Sequence, residues 1–188
     1  MELRSEVVSR KNKDFKKVKE LLVTSFPKEQ LSPFWLLLLT SKTKEIDFLS
    51  FYHEDVLCGF TYITTVDNII FVVYLAVCHD MWSKGYGSAI LAEIQSMHQD
   101  KKVILYIDRC DEKAADYETC LKRKKFYEKN GYKETGYLVE TRKIIQEILV
   151  RNGEFDEEEF VQFFKKYSGG MIKPKLFKVE KYRHNSLV

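Results

Sequence analysis

Between Asn68 and Leu91 the chain reads NIIFVVYLAVCHDMWSKGYGSAIL, and no other stretch narrows the choice of fold as much. An apolar run rich in β-branched residues, without Gly or Pro, continues to Val77. A short polar loop follows, then Gly85-Tyr86-Gly87-Ser88, then a helical pattern that begins with small residues. The order strand, glycine turn, helix presents bare backbone N–H groups to a phosphate. Glycine lets a ligand approach the main chain, and the first helical turn offers donors without intrahelical partners at the positive end of the helix dipole. A phosphate-bearing ligand is the first expectation.

Three kinds of phosphate site use such a turn. A P-loop places its lysine after the second glycine, whereas Lys84 here precedes both glycines, so that reading fails. A dinucleotide fold needs a third small residue and an acid about 20 residues on. Asp108, after the apolar run Val103–Ile107, would serve as the acid, but Ile90 stands where the small residue belongs. The loop Cys78–Lys84 is also too long for that tight turn.

The third reading rests on Trp82-Ser83-Lys84-Gly85-Tyr86-Gly87-Ser88, which resembles the Arg/Gln-x-x-Gly-x-Gly/Ala motif of the GNAT acetyltransferases. Trp82 stands where that family usually has Arg or Gln, which removes a side-chain donor and leaves the backbone donors. The resemblance implies that Lys84, Gly85, Tyr86, Gly87 and Ser88, with Trp82 at the motif's first position, hold the pyrophosphate of acetyl-CoA. It implies further that Ala76 and Val77 pair with the pantetheine arm as with an added strand. Read without the family, a Gly-x-Gly between strand and helix is often only a connection.

A second match lies downstream in Phe126-Tyr127-Glu128-Lys129-Asn130-Gly131-Tyr132, which resembles a later motif of the same family. Its residues suggest a helix with a cationic outer face, stopped at Asn130-Gly131 because glycine accepts the left-handed conformation. By residue pattern alone Tyr127 is a core aromatic. By resemblance it is the general acid that protonates the departing thiolate. Phe26-Pro27-Lys28-Glu29, Pro33-Phe34 and the segment from Ile148 to Phe160 are similar to a small bacterial branch of the family.

The 188 residues suit one domain with one substantial core. Apolar residues at 45% and charged residues at 31% describe an ordinary globular chain, and a net charge of +3 gives no reason to expect nucleic acid or membrane partners. The apolar run Phe34–Leu39 is far too short to span a bilayer, and the polar N-terminus leads to a cytoplasmic expectation. Four cysteines without a C-x-x-C pair argue against zinc and against a disulfide framework, which leaves Cys110 as a passive thiol and no metal site expected.

Periodicity predicts a strand over Leu3–Ser9, a helix over Asp14–Phe26 and a short helix from Ser32-Pro33 through Leu39. Strands follow over Ile46–Tyr52 and Val56–Thr65 about Glu54-Asp55, then the central strand after Asp67-Asn68. The crossover from Val77 through a helix over Gly87–His98 to Val103–Ile107 predicts a parallel pair. Strands near Glu134–Glu140 and Ile144–Val150 precede a helix over Asp156–Tyr167, with acids in its first turn and lysines in its last. The expected fold is α/β: a GNAT-like mixed, mostly antiparallel sheet of about seven strands with a central parallel pair, flanked by helices. The expected organisation is a single domain over 1–168 and a tail over 169–188 that adds a strand at Leu176–Val179.

The resemblance implies an acetyl-CoA-dependent N-acetyltransferase. The amine of a small molecule or peptide attacks directly through a tetrahedral intermediate, with no metal. An alkylamine is mostly ammonium at neutral pH, so a carboxylate must take its proton; Glu29 and Asp108 are the candidates. Tyr74, Tyr106 and Phe26 suit either an acceptor pocket or the core. Two other readings stay open: the same fold as a non-catalytic CoA-binding or regulatory module, and a dinucleotide oxidoreductase. The oligomeric state stays open too, a homodimer included.

Overall fold

The computed structural model describes residues 1–112, 114–141 and 143–180. Its strands are β1 (Arg4–Val7), β2 (Ile46–His53), β3 (Val56–Val66), β4 (Ile69–Val77), β5 (Lys102–Asp108), β6 (Lys133–Thr141), β7 (Ile144–Arg151) and β8 (Lys175–Lys178). Its helices are α1 (Phe15–Ser25), α2 (Phe34–Thr40), α3 (Tyr86–Met97), α4 (Tyr117–Lys129) and α5 (Glu157–Tyr167). The sheet order is β1-β2-β3-β4-β5-β7-β6-β8, mostly antiparallel, with β4 and β5 the parallel pair that the crossover through α3 calls for. Among the described residues the sheet has eight strands where about seven are expected from the sequence. Four residues of the C-terminal segment, one position earlier than predicted, pair with β6 as β8. Residues 181–188 of that predicted tail lie outside the described residues.

The chain divides into two compact units. One comprises Met1–Thr65 and Val72–Lys101; the other comprises Val66–Phe71 and Lys102–Val188. The strand β4 contributes to both.

In the first unit β1, β2 and β3 form an antiparallel meander. Two-residue turns such as Glu54-Asp55 need a residue with positive φ, and Glu54 takes φ 54°. The core is aromatic: Phe48 packs edge-on against Phe34, Phe60 and Tyr62 at ring separations of 5.8, 5.9 and 5.4 Å. Val18 and Leu22, one helical turn apart on α1, are buried with Leu37 of α2. The helix α2 is further fixed by a 2.7 Å hydrogen bond between Thr40 Oγ1 and the Tyr62 hydroxyl.

In the second unit β5 and β7 pair antiparallel, as do β7 with β6 and β6 with β8. The helix α5 is capped at its start, where Asp156 Oδ1 accepts from Glu159 N at 2.7 Å. Its stripe Phe160, Phe163 and Phe164 is buried, and Phe71 and Tyr106 pack against it, with Phe71 5.4 Å from Phe164. Tyr106 is therefore a half-buried aromatic that packs against α5. At the start of β5, the Lys102 ammonium donates to the Glu159 carboxylate, tying that strand to α5. Among the described residues no helix is long and apolar enough to cross a membrane.

Candidate active site

The end of β4 is held from beneath by β3. The β2–β3 register shifts between Phe51 and Tyr52, which face Gly59 and Leu57, so Cys58 is the extra residue of a β-bulge. The Cys58 carbonyl accepts from Cys78 N at 2.8 Å. A Cβ at Gly59 would stand 2.3 Å from the Ala76 carbonyl oxygen, so only glycine lets the two strands approach this closely. Burial, reinforced by Cys58, pushes the Cys78 thiol up to about 11, which keeps it out of thiolate chemistry.

Beyond Val77 the chain turns through His79–Met81, closed by Met81 N donating to Cys78 O at 2.8 Å and Trp82 N to His79 O at 3.0 Å. Trp82 is 59% exposed, yet its indole Nε1–H folds back and donates to the Val77 carbonyl at 2.8 Å. The His79 ring lies against it at 4.6 Å. Ser83 and Gly85 both take the left-handed region, at φ 60° and 88°. Gly85 is the N-cap of α3 and has no side chain to cap the helix; the ladder begins with Ala89 N donating to Gly85 O at 3.0 Å. The N–H groups of Tyr86, Gly87 and Ser88 therefore lie outside the intrahelical ladder. The space where a Gly85 side chain would begin is open for 4 Å. Bare first-turn amides beside open space suit a diphosphate. The Tyr86 side chain is buried, its hydroxyl 3.0 Å from His53 Nδ1.

In the second unit α4 ends as its sequence predicts. Asn130 and Tyr132 N–H groups return to the last carbonyls of the helix, and Gly131 takes φ 84°. Tyr127 is 9% exposed, with its ring 5.1 Å from Phe126 and 5.5 Å from Tyr132. Burial pushes its phenol up to about 12 and that of Tyr132 higher still. On the same helix Lys124 bridges Glu134 and Glu147, 2.7 Å from each. Arg123 donates to Asp108 Oδ2 at 3.0 Å, and Gln146 Nε2 donates to Asp108 Oδ1 at 3.2 Å.

Residues 44–134 match the family model for an acetyltransferase (GNAT) domain. Over that segment the chain is similar to a GNAT acetyltransferase domain. Its fold is shared by solved members of low identity. An acetyltransferase assigned to the GNAT family from Bacteroides thetaiotaomicron is 20% identical, with a TM-score of 0.70 over 87% of this chain and 94% of that one. An aminoglycoside 6'-N-acetyltransferase complexed with coenzyme A is 17% identical, with a TM-score of 0.61 over 79% and 96% of the two chains. The PaiA N-acetyltransferase of Thermoplasma acidophilum, in complex with coenzyme A, is 17% identical, with a TM-score of 0.57 over 80% and 99%. No curated protein matches the sequence.

The predicted site residues fall as follows. Ala76 and Val77 end β4, Ala76 against Gly59 and Val77 under the indole of Trp82. Lys84 is exposed in the loop before Gly85. Gly87 and Ser88 occupy the first turn of α3. Asp108 ends β5 and is joined to α4, the helix of Tyr127, through Arg123. Glu29 is exposed in a single turn over Lys28–Gln30. Tyr74 fastens that turn to β4 by donating to the Gln30 carbonyl at 2.8 Å and accepting from Ser32 N at 2.9 Å.

One expectation is corrected. Cys110 is not a passive thiol: it forms a disulfide with Cys120, across a Cα–Cα distance of 5.4 Å. The bond closes the loop between β5 and α4. Its spacing matches no redox or zinc motif, so only the return of the chain into α4 brings the two cysteines together. Cys58 and Cys78 remain free. Two other residues carried no signal in the sequence: Gly59, which looks like any strand glycine, and His53, whose contact with Tyr86 only the approach of the β2 end to α3 reveals.

Proposed function

We propose that this protein is an acetyl-CoA-dependent N-acetyltransferase acting on the amine of a small molecule or peptide. The observation that carries the reading is the β4–α3 turn. Left-handed Gly85 opens a helix whose first amides are uncapped, inside the segment that matches the family model. The amides from Lys84 to Ser88 hold the diphosphate of the cosubstrate, and the main chain at Ala76 and Val77 holds its pantetheine arm. A backbone N–H near Ala76 or Val77 polarises the thioester carbonyl. The acceptor attacks as a neutral amine, after a carboxylate, Glu29 or Asp108, has taken the ammonium proton directly or through water. Tyr127 returns a proton to the leaving sulfur. Its buried phenol remains protonated at working pH, and burial makes a departing thiolate more basic as well, so the two stay matched.

The test is calorimetric titration with acetyl-CoA, followed by thiol release in the presence of polyamines, amino acids, aminoglycosides and peptide N-termini. Saturable binding with amine-dependent thiol release supports the reading, and absence of binding ends it. Binding without release for every amine favours a CoA-binding module. The departure at Trp82, a side chain that bonds the Val77 carbonyl and leaves the motif's first position without a side-chain donor for the ligand, gives that second reading its weight.

A further inference from the structure

We infer that His53 is a positioning residue for the diphosphate cradle, acting through Tyr86; the inference rests on the reading of Lys84–Ser88 as that cradle. The loop from Trp82 to Gly85 is exposed, two of its residues have left-handed backbone, and a Cβ at Gly85 would meet nothing within 4 Å. Such a loop does not hold its own shape. Two side-chain bonds bracket it instead. On the strand side the Trp82 indole grips Val77; on the helix side the Tyr86 hydroxyl meets His53 Nδ1 at 3.0 Å.

Tyr86 is the first residue of α3 and the start of its buried stripe with Ile90, Leu91 and Ile94. Its side chain is turned into the protein, so it offers a ligand only its backbone N–H. Fixing its hydroxyl fixes the azimuth of the first turn, and with it the direction of three consecutive amides. His53 suits the task because it is itself held firmly. It closes β2 opposite Val56, at a two-residue turn and just past the bulge at Cys58. The hydroxyl donates when Nδ1 is unprotonated and accepts when Nδ1 carries the proton, so the bond survives either tautomer.

The experiment measures CoA affinity by calorimetry for the wild type, His53→Leu, His53→Asn, Tyr86→Phe and the double variant His53→Leu/Tyr86→Phe, with melting temperatures taken without ligand. His53→Leu should weaken CoA by roughly three- to tenfold, the range expected for one hydrogen bond. His53→Asn, whose amide reaches the place of Nδ1, should restore most of it. The double variant should be no weaker than either single one. In turnover assays His53→Leu should raise KM for acetyl-CoA and leave kcat in place. Wild-type binding with unaltered affinity in His53→Leu overturns the inference, as does additive weakening in the double variant or a fall in kcat at constant KM. If the wild type binds no CoA, the cradle reading itself fails and this inference with it.

Discussion

The Trp82 indole donates a 2.8 Å hydrogen bond to the carbonyl of Val77, the last residue of the central strand. The position where the motif resemblance leads one to expect Arg or Gln is thus filled by a side chain that binds the protein's own backbone. Pantetheine pairing with Val77 would bring the arm beside that indole. CoA is therefore expected to change indole emission, with the change lost in Trp82→Phe and kept in Trp35→Phe. Emission that ignores saturating CoA would show that the arm bypasses Val77.

Tyr127 should affect turnover and alkaline stability separately. In Tyr127→Phe, kcat should fall by at least tenfold while CoA affinity stays within about twofold, since the proton it supplies matters only in the reacting complex. For stability the sign follows from burial. The folded phenol titrates near 12, whereas the unfolded chain ionises near 10. The contribution is whole below pH 10 and is lost as pH rises towards 12, amounting to about 2–3 kcal/mol at the top of that window. Denaturant melts at pH 8, 10 and 11.5 should show a steeper decline for the wild type than for Tyr127→Phe.

Gly85→Ala places a side chain on a left-handed backbone with no steric neighbour. The conformational penalty is about 1–2 kcal/mol, so the melting temperature should drop by a few degrees. CoA affinity should drop further, because the added methyl enters the space assigned to the diphosphate. Equal CoA affinity in Gly85→Ala and the wild type would move the diphosphate elsewhere.

The disulfide predicts a thiol count. Of four cysteines, two should react with a thiol reagent in denaturant without reductant, and four after reduction. Replacing Cys110 and Cys120 with serine should cost about 2–3 kcal/mol, the loop-closure term for a separation of 10 residues. Four reactive thiols before reduction would show that the bond does not form.

The elements were legible because their signals are local. The break at Val77, the stop at Asn130-Gly131 and the cap at Asp156 each lie within a few residues of the feature they end or begin. Lysines and acids on α5 fall where the dipole wants them. What stayed hidden depends on residues distant in the chain. No pattern in the sequence joins His53 to Tyr86, or Cys110 to Cys120. Tyr74 read as a core aromatic or a pocket residue, and its hydroxyl grips the turn that carries Glu29. Trp82 read as the loss of a side-chain cation or amide; its use as a donor to the backbone became visible only once the loop had closed.

The two rims of the sheet are β1 and β8, each four residues long. One carries Arg4 and Glu6, bonded to each other, and the other Lys175 and Lys178. Stubby, charged borders make poor templates for a neighbouring strand. Fibril-like stacking through exposed margins is thereby discouraged, and copies of this molecule that associate are steered towards helices or loops.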